Sequence, residues 1–173
     1  MELGPGQGTV KVRTGVAGSA SRMGHRLVLV VGDWTAQVQM DDDVPVAVSF
    51  RAALESLQVE SGTGGVTPLT VVDKQVIRRN ASKVLHVGEY PDALFESSSI
   101  TLGEDSVEIV GELTIHGVSQ PLEVSLSRQG RRVQASIPVL QTDFEIRPYS
   151  AMLGQLKVGD EVMVDLDVTV PQG

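Results

Sequence analysis

The chain has no cysteine, and this absence excludes several kinds of site. Without thiols there is no disulfide, no thiol nucleophile and no thiolate metal site, and cysteine usage gives no indication of the compartment. Aromatic residues are also scarce, because the 173 residues include one tryptophan, two tyrosines and three phenylalanines. A buried core must therefore be built mainly from aliphatic side chains, among which valine dominates.

Basic residues are fewer than acidic ones: the chain has 14 lysines and arginines and 22 acidic residues, which gives a formal net charge of -8. Such a chain repels polyphosphate backbones, and few aromatic rings leave few stacking platforms for single-stranded nucleic acid. Adsorption to an anionic membrane surface is disfavoured for the same electrostatic reason. The composition therefore predicts that nucleic acid is not a partner.

Long apolar runs are missing as well. No stretch approaches the ~18 consecutive apolar residues that a transmembrane helix requires, so we expect no transmembrane segment. Residues 1–14 include Glu2, Gly4 and Pro5, and they have neither the basic start nor the apolar run of a secretory signal. The sequence therefore predicts a cytoplasmic protein.

Motifs that support catalysis or metal binding are not found. The chain has no G-x-S-x-G elbow and no glycine-rich phosphate loop of either common type. Its three histidines, His25, His86 and His116, include no pair at the i, i+4 spacing of a helical zinc site. The acidic run Asp41–Asp43 lacks the alternating ligand spacing of a calcium loop and is typical of a solvated turn. These observations predict a protein that is not an enzyme and holds no metal and no cofactor.

Period-two alternation of apolar and polar residues recurs along most of the chain and predicts half-buried β-strands. Predicted strands cover residues 9–13, 34–40, 46–51, 107–115, 122–126, 132–139 and 161–170. A break in phase near Gly111 predicts a β-bulge there. Turn residues such as His116-Gly117 separate the strands and favour antiparallel hairpins. Such strands either close into a barrel or stack as a sandwich, and periodicity alone leaves both open.

One segment departs from this pattern. Residues 73–86 carry apolar side chains at helical spacing, with Asp73 as the predicted N-cap and Gly88 just past the end. We expect one amphipathic helix there. The preceding residues 61–68 are rich in glycine and are the most flexible loop that the sequence predicts.

Four short motifs occur in an order and spacing typical of one known family. They are Gly24-His25-Arg26-Leu27, then Leu85 with Tyr90-Pro91, Phe95 and Ser97, then Gly111 to Val118 with Pro121-Leu122, and finally Asp143-Phe144-Glu145-Ile146. Together they resemble the YceI-like polyisoprenoid-binding family of bacteria. The resemblance implies an all-β fold over residues 1–173, a single antiparallel lipocalin-like β-barrel domain with one amphipathic helix packed at its side. The chain departs from the family pattern at Glu145, where a glycine is customary, and at Arg26.

The resemblance also implies a function, the binding and carriage or storage of a long apolar ligand of isoprenoid, quinone or fatty-acyl type inside the barrel. Alternation supports an open interior, because the predicted inward residues are mostly valine and alanine and would fill a barrel poorly. The candidate ligand-binding residues are His25, Leu27, Leu29, Trp34, Val38, Phe50, Leu85, Phe95, Leu113, Ile115, Phe144, Ile146 and Leu153. The first alternative is a non-catalytic protein-interaction module with a filled barrel, and an enzyme acting on an apolar substrate ranks third. An exposed strand edge could also pair two copies in a homodimer.

The three histidines receive individual predictions. His116 is interpreted as a solvated turn residue, and His86 as a residue whose ring interacts with the last carbonyls of the helix. His25 precedes an apolar run and matches a family motif. Its ring is either a polar anchor for a ligand headgroup or a buried group hydrogen-bonded to the backbone, and both interpretations stay open.

Overall fold

The computed structural model describes residues 1–172, which form twelve β-strands and one α-helix connected by short turns. The strands are β1 (Glu2–Leu3), β2 (Gly8–Ala17), β3 (His25–Val31), β4 (Trp34–Asp41), β5 (Val44–Ala53), β6 (Leu57–Gly64), β7 (Asp92–Leu102), β8 (Ser106–Ile115), β9 (Val118–Gln129), β10 (Arg132–Leu140), β11 (Ser150–Ala151) and β12 (Leu156–Thr169). The helix α1 spans Val71–Val84. The prediction of an all-β fold with one helix is confirmed.

All strands belong to one sheet, in the order β1-β4-β5-β7-β8-β9-β10-β12-β2-β3-β6, with β11 paired to β12. Every ladder is antiparallel. A single sheet with one apolar face must curl to remove that face from water, and this sheet curls into a half-barrel. Of the two architectures that alternation left open, the barrel type is confirmed and the stacked sandwich is wrong.

A long bent hairpin brings the two ends of the sheet together. It runs from His25 to Gly64, because β3 continues into β4 and β5 continues into β6 with only a short bend in each arm. Across the bend the Gly32 amide donates to the Ser56 carbonyl at 3.2 Å, and the Ala53 amide donates to the Asp33 carbonyl at 3.0 Å. One half of the hairpin pairs with β2 and the other half pairs with β7, so the hairpin spans the opening of the sheet.

The strands β9 and β10 separate soon after their turn. They pair only through Ser127–Gln129 and Arg132–Gln134 in the described chain. Pro121 lies in the β8–β9 ladder and Pro138 in the β10–β12 ladder. Because proline has no N–H to donate, each must direct its nitrogen away from its ladder and toward the gap between β9 and β10. Both prolines lie beyond the last β9–β10 pair, Ser127 with Gln134, so neither could donate to a longer β9–β10 ladder.

The β7–β8 ladder does contain an irregularity at Gly111, as predicted, but the extra residue lies on the partner strand β7. Alternation continues through β8, and the irregularity lies in β7 between Ser97 and Ser99. Gly111 occupies an inward position, where a Cβ would lie 2.5 Å from the Phe95 ring and would clash with the Glu96 carbonyl oxygen. The apparent break in the pattern is thus a position at which β7 approaches too closely for any side chain.

Two corrections concern the helix and the loop before it. The N-cap of α1 is Thr70 and not Asp73, because the Asp73 amide donates to Thr70 Oγ1 at 3.1 Å and the Thr70 amide donates to the Asp73 carboxylate at 2.8 Å. This reciprocal pair is a capping box, which places Asp73 two residues inside the helix. The helix also ends at Val84, before the predicted boundary. Residues 61–64, predicted as flexible loop, belong to β6 and pair with β3.

Among residues 1–172, no helix combines the length and the apolar character that crossing a bilayer demands.

Candidate functional site

The inner face of the curled sheet encloses a cavity of about 770 Å³. Its walls are aliphatic for most of their length, since alternate residues of the central strands point inward. On β8, for example, Val107, Ile109 and Leu113 line the cavity. Apart from Thr14 within β2, the polar lining residues lie near the ends of strands or on α1, so the middle of the sheet presents a mostly apolar surface.

The helix α1 supplies one more wall. Ile77, Ala81, Val84 and Leu85 line the cavity, at the i, i+4, i+7 and i+8 spacing of one helical face. Two long side chains on the helix hold it against the sheet. Lys74 Nζ donates to the Glu60 carbonyl at 3.0 Å, and Arg78 Nη2 donates to the Glu55 carbonyl at 3.0 Å. The helix is therefore packed at the side of the sheet, as predicted.

The structure brings together eleven of the thirteen candidate ligand-binding residues. The residues that line the cavity are His25, Leu27, Leu29, Trp34, Val38, Phe50, Leu85, Phe95, Leu113, Ile115 and Ile146. Phe144 and Leu153 lie outside the lining. Contact of any of these residues with a ligand stays a prediction.

Phe144 is buried, with 4% of its surface exposed, but it packs within the wall rather than on the cavity surface. It ends the short turn Gln141–Phe144, which follows β10 and bridges the strands on either side. Gln120 Nε2 of β9 donates to the Asp143 carbonyl at 2.9 Å, and the Thr142 amide donates to the Asp160 carboxylate of β12 at 2.9 Å. The turn thus fills the space that β9 and β10 leave between them.

The chain reverses direction after Phe144. Glu145 has φ of 56°, in the left-handed region, and the next residue, Ile146, points into the cavity. Glycine adopts this conformation at the lowest cost, which explains why the family motif carries glycine at this position. The departure at Glu145 therefore strains the backbone locally.

Leu153 lies on the outside. Its side chain is fully exposed, and it belongs to a turn in which Met152, Leu153 and Gly154 all have positive φ. This turn joins β11 to β12 and projects away from the cavity. An apolar residue in a turn carries no period that would distinguish this position from an inward one, so sequence alone could not exclude it.

His25 is the first inward residue of β3, in phase with the buried Leu27 and Leu29. Its Nε2 atom lies 2.6 Å from the Thr67 carbonyl oxygen, and Gly65 packs against the ring so closely that a Cβ there would lie 2.6 Å from it. The ring is half-buried at one end of the cavity. This geometry matches the interpretation of a ring bonded to the backbone, although His25 also borders the cavity.

The rings of the other two histidines contact each other, and neither of their predicted roles included this contact. His116 Nε2 lies 2.8 Å from His86 Nδ1, and His116 Nδ1 lies 3.1 Å from the Phe144 carbonyl oxygen. His116 does lie in the β8–β9 turn, where it and Gly117 both have positive φ. Its ring thus connects this turn, the end of α1 and the turn after β10. Thirty residues separate the two histidines in sequence, so no local pattern could have paired them.

Sequence reasoning missed two charged residues at the other end of the cavity. Arg128 and Arg131 flank the β9–β10 turn and belong to the lining. Arg128 continues the inward phase of Val124 and Leu126, so alternation could have identified it. The predicted strand ended at residue 126 and therefore did not include it.

Two carboxyl groups on the outer face of the sheet, Asp165 and Asp167, have lowered pKa values. A hydrogen bond from Arg13 lowers the pKa of the Asp165 carboxyl, and burial opposes this effect in part. A hydrogen bond from Arg132 likewise lowers the pKa of Asp167. These pairs stabilise the outer surface of β2, β10 and β12, and they are directed away from the cavity.

The chain is similar to known proteins of one family along most of its length. The family model described as the YceI-like domain matches residues 9–170. Protein YceI of Escherichia coli O6:H1 is 29% identical over 100 residues, which is 57% of this chain and 48% of that protein. A UPF0312 protein of Pseudomonas syringae pv. tomato is 26% identical over 99 residues, 57% of this chain and 47% of that protein. The matched stretch thus spans about half the length of these curated relatives.

Solved structures extend the likeness to nearly the whole chain. The crystal structure of BcnA from Burkholderia cenocepacia has a TM-score of 0.69 at 16% identity, covering 95% of this chain and 96% of that chain. The Campylobacter jejuni YCEI protein has a TM-score of 0.61 at 14% identity, covering 84% of each chain. Likeness at this level of identity shows a shared fold.

Proposed function

We propose that this chain, which belongs to the YceI-like domain family as its motifs predicted, binds one long apolar molecule inside its curled sheet. The molecule is of isoprenoid, quinone or fatty-acyl type, and the chain carries or stores it as a single domain without catalysing a reaction. The observation that carries this proposal is the cavity of about 770 Å³ with its continuous aliphatic wall. Pockets for small molecules commonly measure ~300–1,000 Å³.

The energetics favour a long chain over a compact apolar molecule. Each methylene moved from water into such a cavity contributes about 0.8 kcal/mol, so roughly 15 methylenes contribute about 12 kcal/mol. Association itself costs on the order of 4–15 kcal/mol in lost translational and rotational freedom. Only a ligand with many buried methylenes therefore binds tightly.

The distribution of polar groups supports binding rather than catalysis. General acid–base chemistry requires titratable groups that converge on one reacting atom. In the described part of the chain, the titratable residues of the lining lie at its ends: His25, Asp43, Arg128, Arg131, Tyr149 and Lys157. A filled barrel that acts only as a protein-interaction module receives no support from a cavity of this size.

The proposal is tested by native mass spectrometry of the purified chain, followed by organic extraction and mass analysis. We expect a stoichiometric apolar species, or uptake of hexadecanol by protein from which lipid has been removed. Hexadecanol is a suitable probe because it combines a long chain with an uncharged headgroup. A chain that co-purifies with nothing and takes up no hexadecanol would overturn the proposed function.

A further inference from the structure

Two arginines face inward at one end of the cavity, and strand register places them there. Arg128 pairs with Val133 across the β9–β10 ladder, and Val133 in turn pairs with the buried Val168 of β12. Residues that pair directly across an antiparallel ladder lie on the same face of the sheet. Arg128 is therefore the last inward position of β9.

Arg131 occupies the matching position on the other side of the turn. Its carbonyl accepts the Val170 amide at 2.9 Å, which continues the β10–β12 register by one residue. Val170 lines the cavity, and so does Val133, two residues after Arg131. Arg128 on β9 and Arg131 in the β9–β10 turn thus both keep the inward phase, and Gln129 and Gly130 separate them.

The hydrogen bonds of these two arginines go to backbone carbonyls. Arg128 Nη2 donates to the Glu104 carbonyl at 3.1 Å, and Arg131 Nη1 donates to the Val170 carbonyl at 3.5 Å. Within residues 1–172 no carboxylate lies within 4.0 Å of either guanidinium. Four outward cations are paired with carboxylates: Lys11 with Glu60, Arg13 with Asp165, Arg51 with Asp33 and Asp92, and Arg132 with Asp167. On the helix, Lys74 and Arg78 donate to backbone carbonyls instead.

This contrast is informative because carboxylates are abundant in the chain, which has a net charge of -8. Acidic residues are also present at this end, with Asp43 in the lining and Glu104 and Asp105 in the β7–β8 turn. Within residues 1–172, none of these carboxylates forms an ion pair with either guanidinium group. They also repel small anions from solution, whereas an amphiphile is drawn in by its apolar chain.

Ligand binding changes what these guanidinium groups require. An apolar chain that fills the cavity displaces water from its walls, and a charge that loses water needs a partner of opposite charge. Carboxylate and phosphate groups match the planar fork of arginine and accept two hydrogen bonds from it. At the opposite end, His25 already contacts the Thr67 carbonyl, and Gln141 Nε2 donates to the Gly159 carbonyl at 2.9 Å. Lys157 also lines that end, but a single ammonium group lacks the planar fork that two arginines offer an anion.

We propose that the cavity selects amphiphiles with an anionic headgroup, and that Arg128 and Arg131 bind this carboxylate or phosphate at the β9–β10 end. The inference rests on the proposed function, because the apolar chain of the same ligand occupies the cavity. It adds the headgroup chemistry, its location and the orientation of the ligand.

The test compares palmitate with hexadecanol, whose chains have the same length, by displacement of a fluorescent apolar probe. Charge-assisted hydrogen bonds contribute about 1.5–3 kcal/mol, so palmitate should bind roughly 10- to 100-fold more tightly. The double variant Arg128→Gln/Arg131→Gln should lose this preference by weakening palmitate alone. Arg132→Gln is the matched control, because Arg132 faces outward and pairs with Asp167, and it should keep the preference.

Each other outcome has a definite meaning. Equal affinity for palmitate and hexadecanol in the unaltered chain overturns the headgroup inference and leaves the proposed function standing. Failure of both ligands to bind overturns the proposed function itself. Inorganic phosphate should fail to displace palmitate at millimolar concentration, and if it displaces palmitate through the two arginines, the site recognises free anions and the inference for amphiphiles is wrong.

Discussion

A charge introduced into the cavity wall should reduce ligand affinity by an amount that depends on pH. Leu113 lines the cavity on β8, and the next residue, Thr114, faces the other side and contacts the Ser119 hydroxyl at 2.7 Å. We compare Leu113→Asp with Thr114→Asp, so that the same carboxyl group lies on the inner or the outer face. The ligand is hexadecanol, because its headgroup does not ionise.

The magnitude follows from the cost of neutralising the introduced carboxyl. In the empty cavity water can solvate the charge, but a bound apolar chain removes this water, so the penalty falls on binding. A carboxyl with an ordinary pKa of about 3.9 can instead take up a proton, which costs about 4 kcal/mol at pH 7. This cost is the upper limit of the penalty and corresponds to roughly a thousandfold loss of affinity.

The pH dependence gives the prediction its signature. The bound ligand raises the pKa of the introduced carboxyl, so the complex takes up a proton and binding strengthens as the pH falls. The loss should shrink by about tenfold per pH unit, to roughly tenfold at pH 5. Leu113→Asn has nearly the same shape and no charge, so its smaller loss should not depend on pH over this range.

Isothermal titration calorimetry at pH 5, 6 and 7 measures these affinities, and circular dichroism verifies that each variant is folded. Thr114→Asp should bind hexadecanol within about threefold of the unaltered chain at every pH. The reasoning is refuted if the two aspartate variants, both folded, lose the same affinity. A pH-independent loss for Leu113→Asp would refute the assignment of Leu113 to a dry cavity wall.

Three further predictions concern stability. Gly111→Ala should lower the free energy of unfolding by about 1–3 kcal/mol in urea denaturation, since its Cβ would overlap β7, whereas Gly88→Ala, with open space around it, should have little effect. Because Arg13 lowers the folded-state pKa of Asp165, this pair stabilises the fold above about pH 4, and the stabilisation is lost as the pH falls further. The unaltered chain should therefore have a higher free energy of unfolding than Asp165→Asn at neutral pH but not in acid. A difference in unfolding free energy that is constant with pH would contradict this. In His116→Asn the asparagine tolerates the positive φ but the ring contacts are lost, so we expect the free energy of unfolding to fall by about 1–2 kcal/mol in thermal denaturation. Unchanged stability would mean that these contacts are dispensable.

Much of the candidate site was predictable because a strand has a period of two. On β12, Val164 and Leu166 alternate with Asp165 and Asp167, and the structure directs both apolar side chains into the cavity as expected. The same rule identifies Leu27 and Leu29 on β3. It failed at Leu153, because a turn has no period, and at Phe144, because its neighbour Glu145 changes the direction of the chain.

Contacts between distant segments lay beyond sequence reasoning. The period does not reveal that β3 and β4 are two halves of one bent arm, since the bend depends on which strands flank each half. Nor does it show that His86 and His116 meet, because their contact requires the end of α1 to lie beside the β8–β9 turn. These features arise from packing of elements that are far apart in the chain.

By itself, the sequence determined that the chain forms antiparallel strands with one wet and one apolar face, because alternation is a local property of each strand. The tertiary structure alone decided that the apolar faces enclose a cavity rather than pack against one another. It also decided that Arg128 and Arg131 face this cavity without a carboxylate within 4.0 Å among residues 1–172. The physical reason is that enclosure and ion pairing depend on which distant strands become neighbours, and only the curled sheet with its bent hairpin defines those neighbours.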